Sequence, residues 1–473
     1  MFRNLRLAAC TLAACFLLSS CTGFNLSSDL MDLMRPPRLT AEQKAIDDAL
    51  KASVITNPIM KYPKSGDYRS AFVFHDIDAD GVEEAIVFYA VESNDYARVT
   101  LLDQVNGEWR SLSELPGADQ DVEFIAFANI TDSQSEDIVI GWGSPGNLEM
   151  TLGVYSFEDG KLVKKLKDNV DTAYNAYLIN DLDNNGLDDI FLLSNNSDTR
   201  AKASWIKQIS FDGYGVDTVS ELPLSDSISE FAGIIAGKLS PESSRRGLFV
   251  DELLTENTLV TEVFTIENNT LTAVIEQDMQ KPSQKEADNP QDAELIAQPP
   301  SLYEQTRRSD TTTVCSDVNT DGVIEIPTGK LMPGYDDKDI YEAERIYLTE
   351  YNQLSNGALV RVLAAAINRS GGYRVEFPPE WIDQVTVVNQ IESGEWRFIT
   401  YKSDLDKPLE DLSGELARIR VVSQKDYQDK FLDHYIAMKT RGTFTYYGYV
   451  PDNVTSPLAI TAKELKDTLF SLL

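Results

Sequence analysis

The chain has 473 residues, 76 of them acidic and 42 basic, and a formal net charge of −34. So large an acidic excess repels phosphate backbones and argues against a nucleic-acid partner. Only His75 and His434 occur among histidines, which argues against a multi-histidine zinc site and a histidine-centred triad.

At the amino terminus, Arg3 and Arg6 precede an apolar stretch over 7–18 that is too short to span a bilayer, and Leu18-Ser-Ser-Cys21 follows. The pattern resembles a bacterial lipoprotein signal over 1–20, cleaved before Cys21, whose thiol takes a diacylglyceryl group. Leu7-Ala-Ala-Cys10 and Leu12-Ala-Ala-Cys15 fit the same pattern, but neither has an adequate apolar run before it. Cleavage there leaves Cys21 for lipid and Cys315 without a partner, so no intramolecular disulfide is expected. Two acyl chains supply on the order of 25 kcal/mol, an effectively permanent anchor. The expected location is therefore the outer face of the cytoplasmic membrane, with 21–39 as tether.

A short helix is predicted over 40–53. Thr40 and Gln43 stand in capping-box spacing, and Ile46 and Leu50 share one face.

Three times an acid-rich loop then runs into an apolar strand: Asp76-Ile-Asp-Ala-Asp-Gly-Val-Glu-Glu84, Asp181-Leu-Asp-Asn-Asn-Gly-Leu-Asp-Asp189 and Asp317-Val-Asn-Thr-Asp-Gly-Val-Ile-Glu325. Positions 1, 3, 5 and 9 carry oxygen: Asp76, Asp78, Asp80 and Glu84; Asp181, Asp183, Asn185 and Asp189; Asp317, Asn319, Asp321 and Glu325. Ca²⁺ wants six to eight oxygens, and Gly at position 6 permits the turn that gathers them, so these residues are the predicted ligands of structural Ca²⁺. An EF-hand is excluded, because position 12 is Val87, Leu192 or Thr328 rather than a bidentate Glu. The same spacing also suits an Asx-turn that caps its own backbone with no metal. A loop of this kind leading into a strand resembles the calcium loops of FG-GAP/VCBS repeats in integrin-α-like β-propellers.

The interval repeats. Asn129 follows Asp76 by 53 residues and Asp181 follows Asn129 by 52, so Asn129–Asp137 is a second unit with most liganding positions lost. A fourth, more eroded unit begins near Gly237, with Leu248-Phe-Val250 as its strand. The stretch 281–300 has four prolines and no periodicity, and reads as a disordered insertion. Four short strands per unit of about 50 residues is what a propeller blade requires, and one blade cannot bury both faces alone. The expected fold is mainly β: a propeller of about five to seven four-stranded blades over 54–369.

The final segment, 370–473, differs. Gly372-Tyr-Arg-Val-Glu-Phe-Pro-Pro-Glu-Trp381 opens an alternating strand that weakly resembles the start of PsbP-like domains. Further strands, a helix over 425–438 and a closing helix over 461–472 with Thr461 and Glu464 in capping-box spacing predict a small α+β domain. Together, the tether, the helix and the run "KYPKSGDYRSAFVFHDIDADG" resemble VCBS-repeat lipoproteins of anaerobic Gram-positive bacteria, a group that implies no specific activity.

No Gly-rich phosphate loop, CxxC pair or HExxH motif is present. The expected function is a non-catalytic surface module that binds a protein, peptide or glycan. The alternatives are a carbohydrate-active enzyme, lyase- or glycosidase-like, working in the propeller channel, and a structural subunit of an envelope complex.

Overall fold

A computed structural model describes residues 40–473 except 55–56, 93–94, 133, 196–202, 226, 277–299, 392, 426–431 and 453–454. The signal, Cys21, the tether and nearly all of the expected insertion lie outside the described residues.

Helix α1 spans Ala41–Ser53, as its local chemistry dictates. The Thr40 side chain accepts from the Gln43 N–H while the Gln43 side chain accepts from the Thr40 N–H, each at 3.1 Å. Ile46 and Leu50, one turn apart, are its buried residues.

Among the described residues, six antiparallel sheets of four or five strands follow. The first holds β1 (Ile59–Met60), β2 (Phe72–His75), β3 (Glu84–Ala90), β4 (Arg98–Val105) and β5 (Glu108–Pro116). The second holds β6 (Asp121–Ala128), β7 (Asp137–Gly143), β8 (Met150–Glu158), β9 (Lys161–Lys164) and β10 (Ala173–Tyr174). In the third are β11 (Ala176–Asn180), β12 (Asp189–Ser194), β13 (Trp205–Phe211) and β14 (Val216–Pro223). In the fourth are β15 (Ile228–Lys238), β16 (Arg246–Leu254), β17 (Leu259–Glu267) and β18 (Thr270–Ile275). A single-turn helix α2 (Leu302–Gln305) precedes the fifth sheet, which orders β19 (Ile326–Leu331), β20 (Tyr347–Ser355), β21 (Ala358–Asn368), β22 (Tyr373–Glu376) and finally β28 (Phe470–Leu472). The sixth orders β23 (Val385–Gln390), β24 (Glu395–Thr400), β25 (Glu415–Ser423), β27 (Phe444–Tyr449) and β26 (Ile436–Arg441).

Strand alternation gives each inner sheet two apolar faces, and these join the sheets in sequence. Ile86, Phe88 and Val99 of the first meet Ile138, Ile140 and Trp142 of the second. Phe124, Val139 and Val154 then meet Ile190, Leu192 and Ile209 of the third. Phe191, Leu193 and Ile206 turn to the fourth sheet, which also packs on Ile324, Ile326 and Leu354. Ala366, Tyr373 and Val375 of the fifth meet Val387, Phe398 and Ile419 of the sixth. The opposite face of the first sheet, with Phe72, Ala85, Val87 and Tyr89, is covered by Ile46 and Leu50 of α1. Among the described residues, no apolar cluster joins the sixth sheet to the first.

Three expectations for the last hundred residues need correction. The boundary at 370 runs through the fifth sheet, because β22 pairs with β21 (Ala365 with Glu376, Asn368 with Tyr373) and β28 pairs with β22. The helix over 425–438 is not found where the residues are described: Ile436–Arg441 is strand β26, and its Met438 is buried beside Gly448. The closing helix is one α turn over Ala462–Glu464, with its capping box present, then a π turn over Leu465–Leu469. Phe470 leaves it to pair with Val375.

Candidate metal centre

Two of the acid-rich loops link paired strands, and the third is closed by an isolated bridge. His75 pairs with Glu84, Asn180 with Asp189, and Ser316 with Glu325, so position 9 always returns opposite the residue before position 1. The backbones match. Position 4 is left-handed in all three, at Ala79 (φ 59°), Asn184 (58°) and Thr320 (62°), and so is the glycine at position 6. For β-branched Thr320 that conformation costs on the order of 1–3 kcal/mol.

The position-1 carboxylate makes the turn. Asp76 accepts from the Asp80 N–H (3.1 Å) and the Gly81 N–H (3.0 Å). Asp181 does the same for Asn185 and Gly186, and Asp317 for Asp321 and Gly322. Position 5 accepts from the N–H of position 7 in each loop. These bonds fix the loop with or without a cation; the ninth residue separates the three copies.

In the first loop, Glu84 is long enough to reach back, and its Oε2 accepts from the Ile77 N–H at 2.8 Å. Oxygens of Asp76, Asp78 and Glu84 come within 4.8 Å of one another, a set able to hold a metal ion. Burial pushes Glu84 up to about 7 against the pull of the Ile77 N–H, with Asp78, Asp103 and Asp80 adding repulsion. Asp78 is raised by burial and by Asp80. A cation would relieve both effects.

The fifth-sheet loop gathers Asp317, Asp321 and Glu325 in the same way, with Glu325 Oε2 on the Val318 N–H at 2.8 Å. Gln353, however, donates from Nε2 to Asp321 Oδ2 and Glu325 Oε1, both at 2.8 Å. Burial still raises Glu325. Asp321 is held low, chiefly by the Val323 N–H. Asn319 accepts from the Asp321 N–H at 3.0 Å. Gln353 carries no sequence signal: it reaches Glu325 only because β19 and β20 pair Ile326 with Asn352.

The third-sheet loop is different. Asp189 is shorter and is held by Ser210 and by Gln208 Nε2 (3.3 Å) on β13. Burial raises it to about 6. It does not join Asp181 and Asp183; among the described residues the acid groups able to hold a metal are those of the first and fifth sheets.

In the eroded units protein donors fill the loop. Asn129 Nδ2 donates to the carbonyls of Asp132 (3.3 Å) and Ser135 (2.9 Å), at positions 4 and 7. In the fourth unit the loop is one residue shorter, and the residue paired with the strand end Lys238 is Arg246, so a cation stands where the other loops return an acid. Arg246 donates to Asn180 of the third sheet at 3.1 Å.

Neighbouring loops also touch. His75 Nε2 meets Glu136 at 2.6 Å while its ring stacks on Phe127. Lys238 N–H donates to the Gly322 carbonyl, and Ile324 N–H donates to the Lys238 carbonyl. All five loops therefore form one row along the same edge of the sheets.

No family model matches the chain, and no curated protein does. Among solved structures it is similar to Sqt1 of Saccharomyces cerevisiae, at 10% identity over 68% of this chain and 82% of that one, with a TM-score of 0.30. It is also similar to the periplasmic gluconolactonase PpgL of Pseudomonas aeruginosa, at 11% identity over 73% and 92% with a TM-score of 0.26. The rhamnogalacturonan lyase YesW gives 9% identity over 75% and 70%, with a TM-score of 0.28. Likenesses at these scores carry no argument about what this chain does.

Proposed function

We propose that this chain is a non-catalytic binding or scaffold module of the β-propeller kind, stabilised by Ca²⁺ and held at the outer face of the cytoplasmic membrane by lipid on Cys21. Its six sheets act as blades, and the row of loops is a rigid edge from which a protein, peptide or glycan is met. The observation that carries this reading is the gathering of Asp76, Asp78 and Glu84 within 4.8 Å, repeated by Asp317, Asp321 and Glu325 in the same loop conformation. Extracellular calcium modules work at roughly 10⁻⁴–10⁻³ M, which suits exposed loops.

Thermal unfolding in excess chelator and then in millimolar Ca²⁺ tests it. Millimolar free Ca²⁺, about one to ten times such a dissociation constant, adds roughly 0.4–1.4 kcal/mol per site and raises the midpoint. An unchanged midpoint would demote the loops to self-capping turns. The enzyme alternative requires a solvent-reachable acid pair apart from the loops. The pair Glu252 and Glu262 lies apart from them, but it is enclosed.

A further inference from the structure

We propose that Asp103 of β4, which lies outside the loop motif, supplies a further carboxylate to the cation of the first loop. The residue at this place across the ladder then sets how tightly each loop holds Ca²⁺. The inference rests on the reading of the loops as Ca²⁺ sites and assigns them unequal strength.

The register puts one place opposite position 9 in each of four sheets. β3 and β4 pair Ala85 with Leu102, so the next residues outward, Glu84 and Asp103, stand opposite each other on one face of the first sheet. β7 and β8 pair Ile138 with Tyr155, β12 and β13 pair Ile190 with Ile209, and β19 and β20 pair Ile326 with Asn352. One step outward, these give Asp137 with Ser156, Asp189 with Ser210, and Glu325 with Gln353. Each of those three pairs is joined by a side-chain hydrogen bond. Contact with position 9 therefore belongs to the place itself, whichever residue fills it.

What fills it differs in kind. Ser156 and Ser210 donate to the position-9 carboxylate, and Gln353 donates to both Glu325 and Asp321. In those sheets a protein donor meets oxygens that would otherwise turn to a cation. An ionised aspartate has no proton to donate. Glu84 is 2% exposed, and among the described residues its one hydrogen bond comes from the Ile77 N–H. Asp103 is half-buried, and its Oδ1 accepts from the Gln104 N–H. Burial raises both Asp78 and Glu84, and the charges that add to this are all carboxylates, Asp103 among them in both cases.

Asp76, Asp78 and Glu84 already bring oxygens within 4.8 Å of one another, and Asp103 adds a carboxylate from the neighbouring strand. The affinity of a Ca²⁺ site is tuned by the charge of its ligands and by its rigidity. Asp103 contributes to both. β4 is paired on one side with β3 and on the other with β5, where Asp103 faces Arg110, so the ladder presents the carboxylate and the loop does not have to. The fifth-sheet loop, with neutral Gln353 in that place, is the weaker site.

Calorimetric titration of the chelator-stripped chain with Ca²⁺ tests this. Asp181→Asn with Asp317→Asn silences the other two loops, so that the first is read alone. Adding Asp103→Asn to that background should weaken binding at least about tenfold. Its unfolding midpoint in excess chelator should equal or exceed that of the background, because a repelling charge is gone. In a chain whose first and third loops are silenced by Asp76→Asn and Asp181→Asn, Gln353→Glu should tighten binding by a similar factor. An unchanged affinity after Asp103→Asn, a midpoint lowered as much in chelator as in Ca²⁺, or no gain from Gln353→Glu would overturn the proposal while leaving the loops as Ca²⁺ sites. No Ca²⁺ uptake by the unaltered chain would overturn the reading of the loops, and this inference with it.

Discussion

Asn129 and Asp188 hold each other through reciprocal bonds: the Asn129 N–H donates to Asp188 Oδ2 at 3.1 Å, and the Asp188 N–H donates to the Asn129 carbonyl at 2.7 Å. Position 1 of the second loop is thereby tied to position 8 of the third. His75 with Glu136 makes the equivalent link one sheet earlier, and Lys238 with Gly322 and Ile324 makes it later. Rigidity introduced at one loop is passed to its neighbour through hydrogen bonds, not through exposed side chains alone.

Calcium dependence should follow the ninth residue. Asp78→Ala is expected to lower the unfolding midpoint in Ca²⁺ and hardly change it in chelator, since Asp78 sits in the gathered set. Asp189→Ala should lose about 1–3 kcal/mol equally in both, because its carboxylate serves Ser210 and Gln208. Equal losses in both conditions for Asp78→Ala would refute the metal assignment.

Asn129 supplies a test in a loop that needs no ion. Asn129→Ala should cost about 1–3 kcal/mol at any Ca²⁺ concentration, as two loop carbonyls lose their donor. Asn129→Asp should be worse in chelator, with a carboxylate facing those carbonyls, and should recover in Ca²⁺. Urea denaturation with and without chelator reads both.

The helix covering the first sheet is the third target. Leu50→Ala should cost about 2–5 kcal/mol, since the side chain is wholly buried against the first sheet. Leu50→Asp should free the helix and leave Phe72, Val87 and Tyr89 open, which dye binding or a rise in oligomer size would register. Cooperative unfolding with no new dye binding would mean that the helix is not a separable cover.

Asp310 gives a pH signature. Burial favours its neutral form, but Thr313, Thr312 and the Arg369 guanidinium outweigh that and hold it at about 2. A depressed value means that the stability it contributes is complete above the ordinary carboxylate value of about 4 and lost as pH falls toward about 2. Asp310→Asn should therefore lose about 1–2 kcal/mol at neutral pH, allowing for the part-exposed pair, with the gap from wild type closing between about pH 4 and 2. A gap independent of pH would assign the loss to packing.

What could be read from the sequence was local. The capping box of Thr40 and Gln43 acts within one turn, and α1 forms where that pair places it. The loops were legible at positions 1 to 6, whose bonds close within five residues. Their ninth positions were not equivalent, because Asp189 answers to Ser210 and Gln208 on the next strand while Glu325 answers to Gln353. Distance along the chain also hid the end of the fold. Thr461 and Glu464 promise a helix, yet Phe470 is drawn into pairing with Val375 after little more than two turns. In 436–441, alternation of Ile436 and Met438 is a strand signal that the surrounding polar residues masked.

The pairing of Val375 with Phe470 sets an order of events. A chain growing from its amino terminus can complete the first four sheets as each emerges, but the fifth must hold β22 with one edge open while the whole of the sixth is made. Only when residues 470–472 appear is that edge closed. A product cut short within the sixth sheet would carry an unsealed strand, a template for pairing with another chain, so loss of a few late residues should be felt as aggregation rather than as loss of binding.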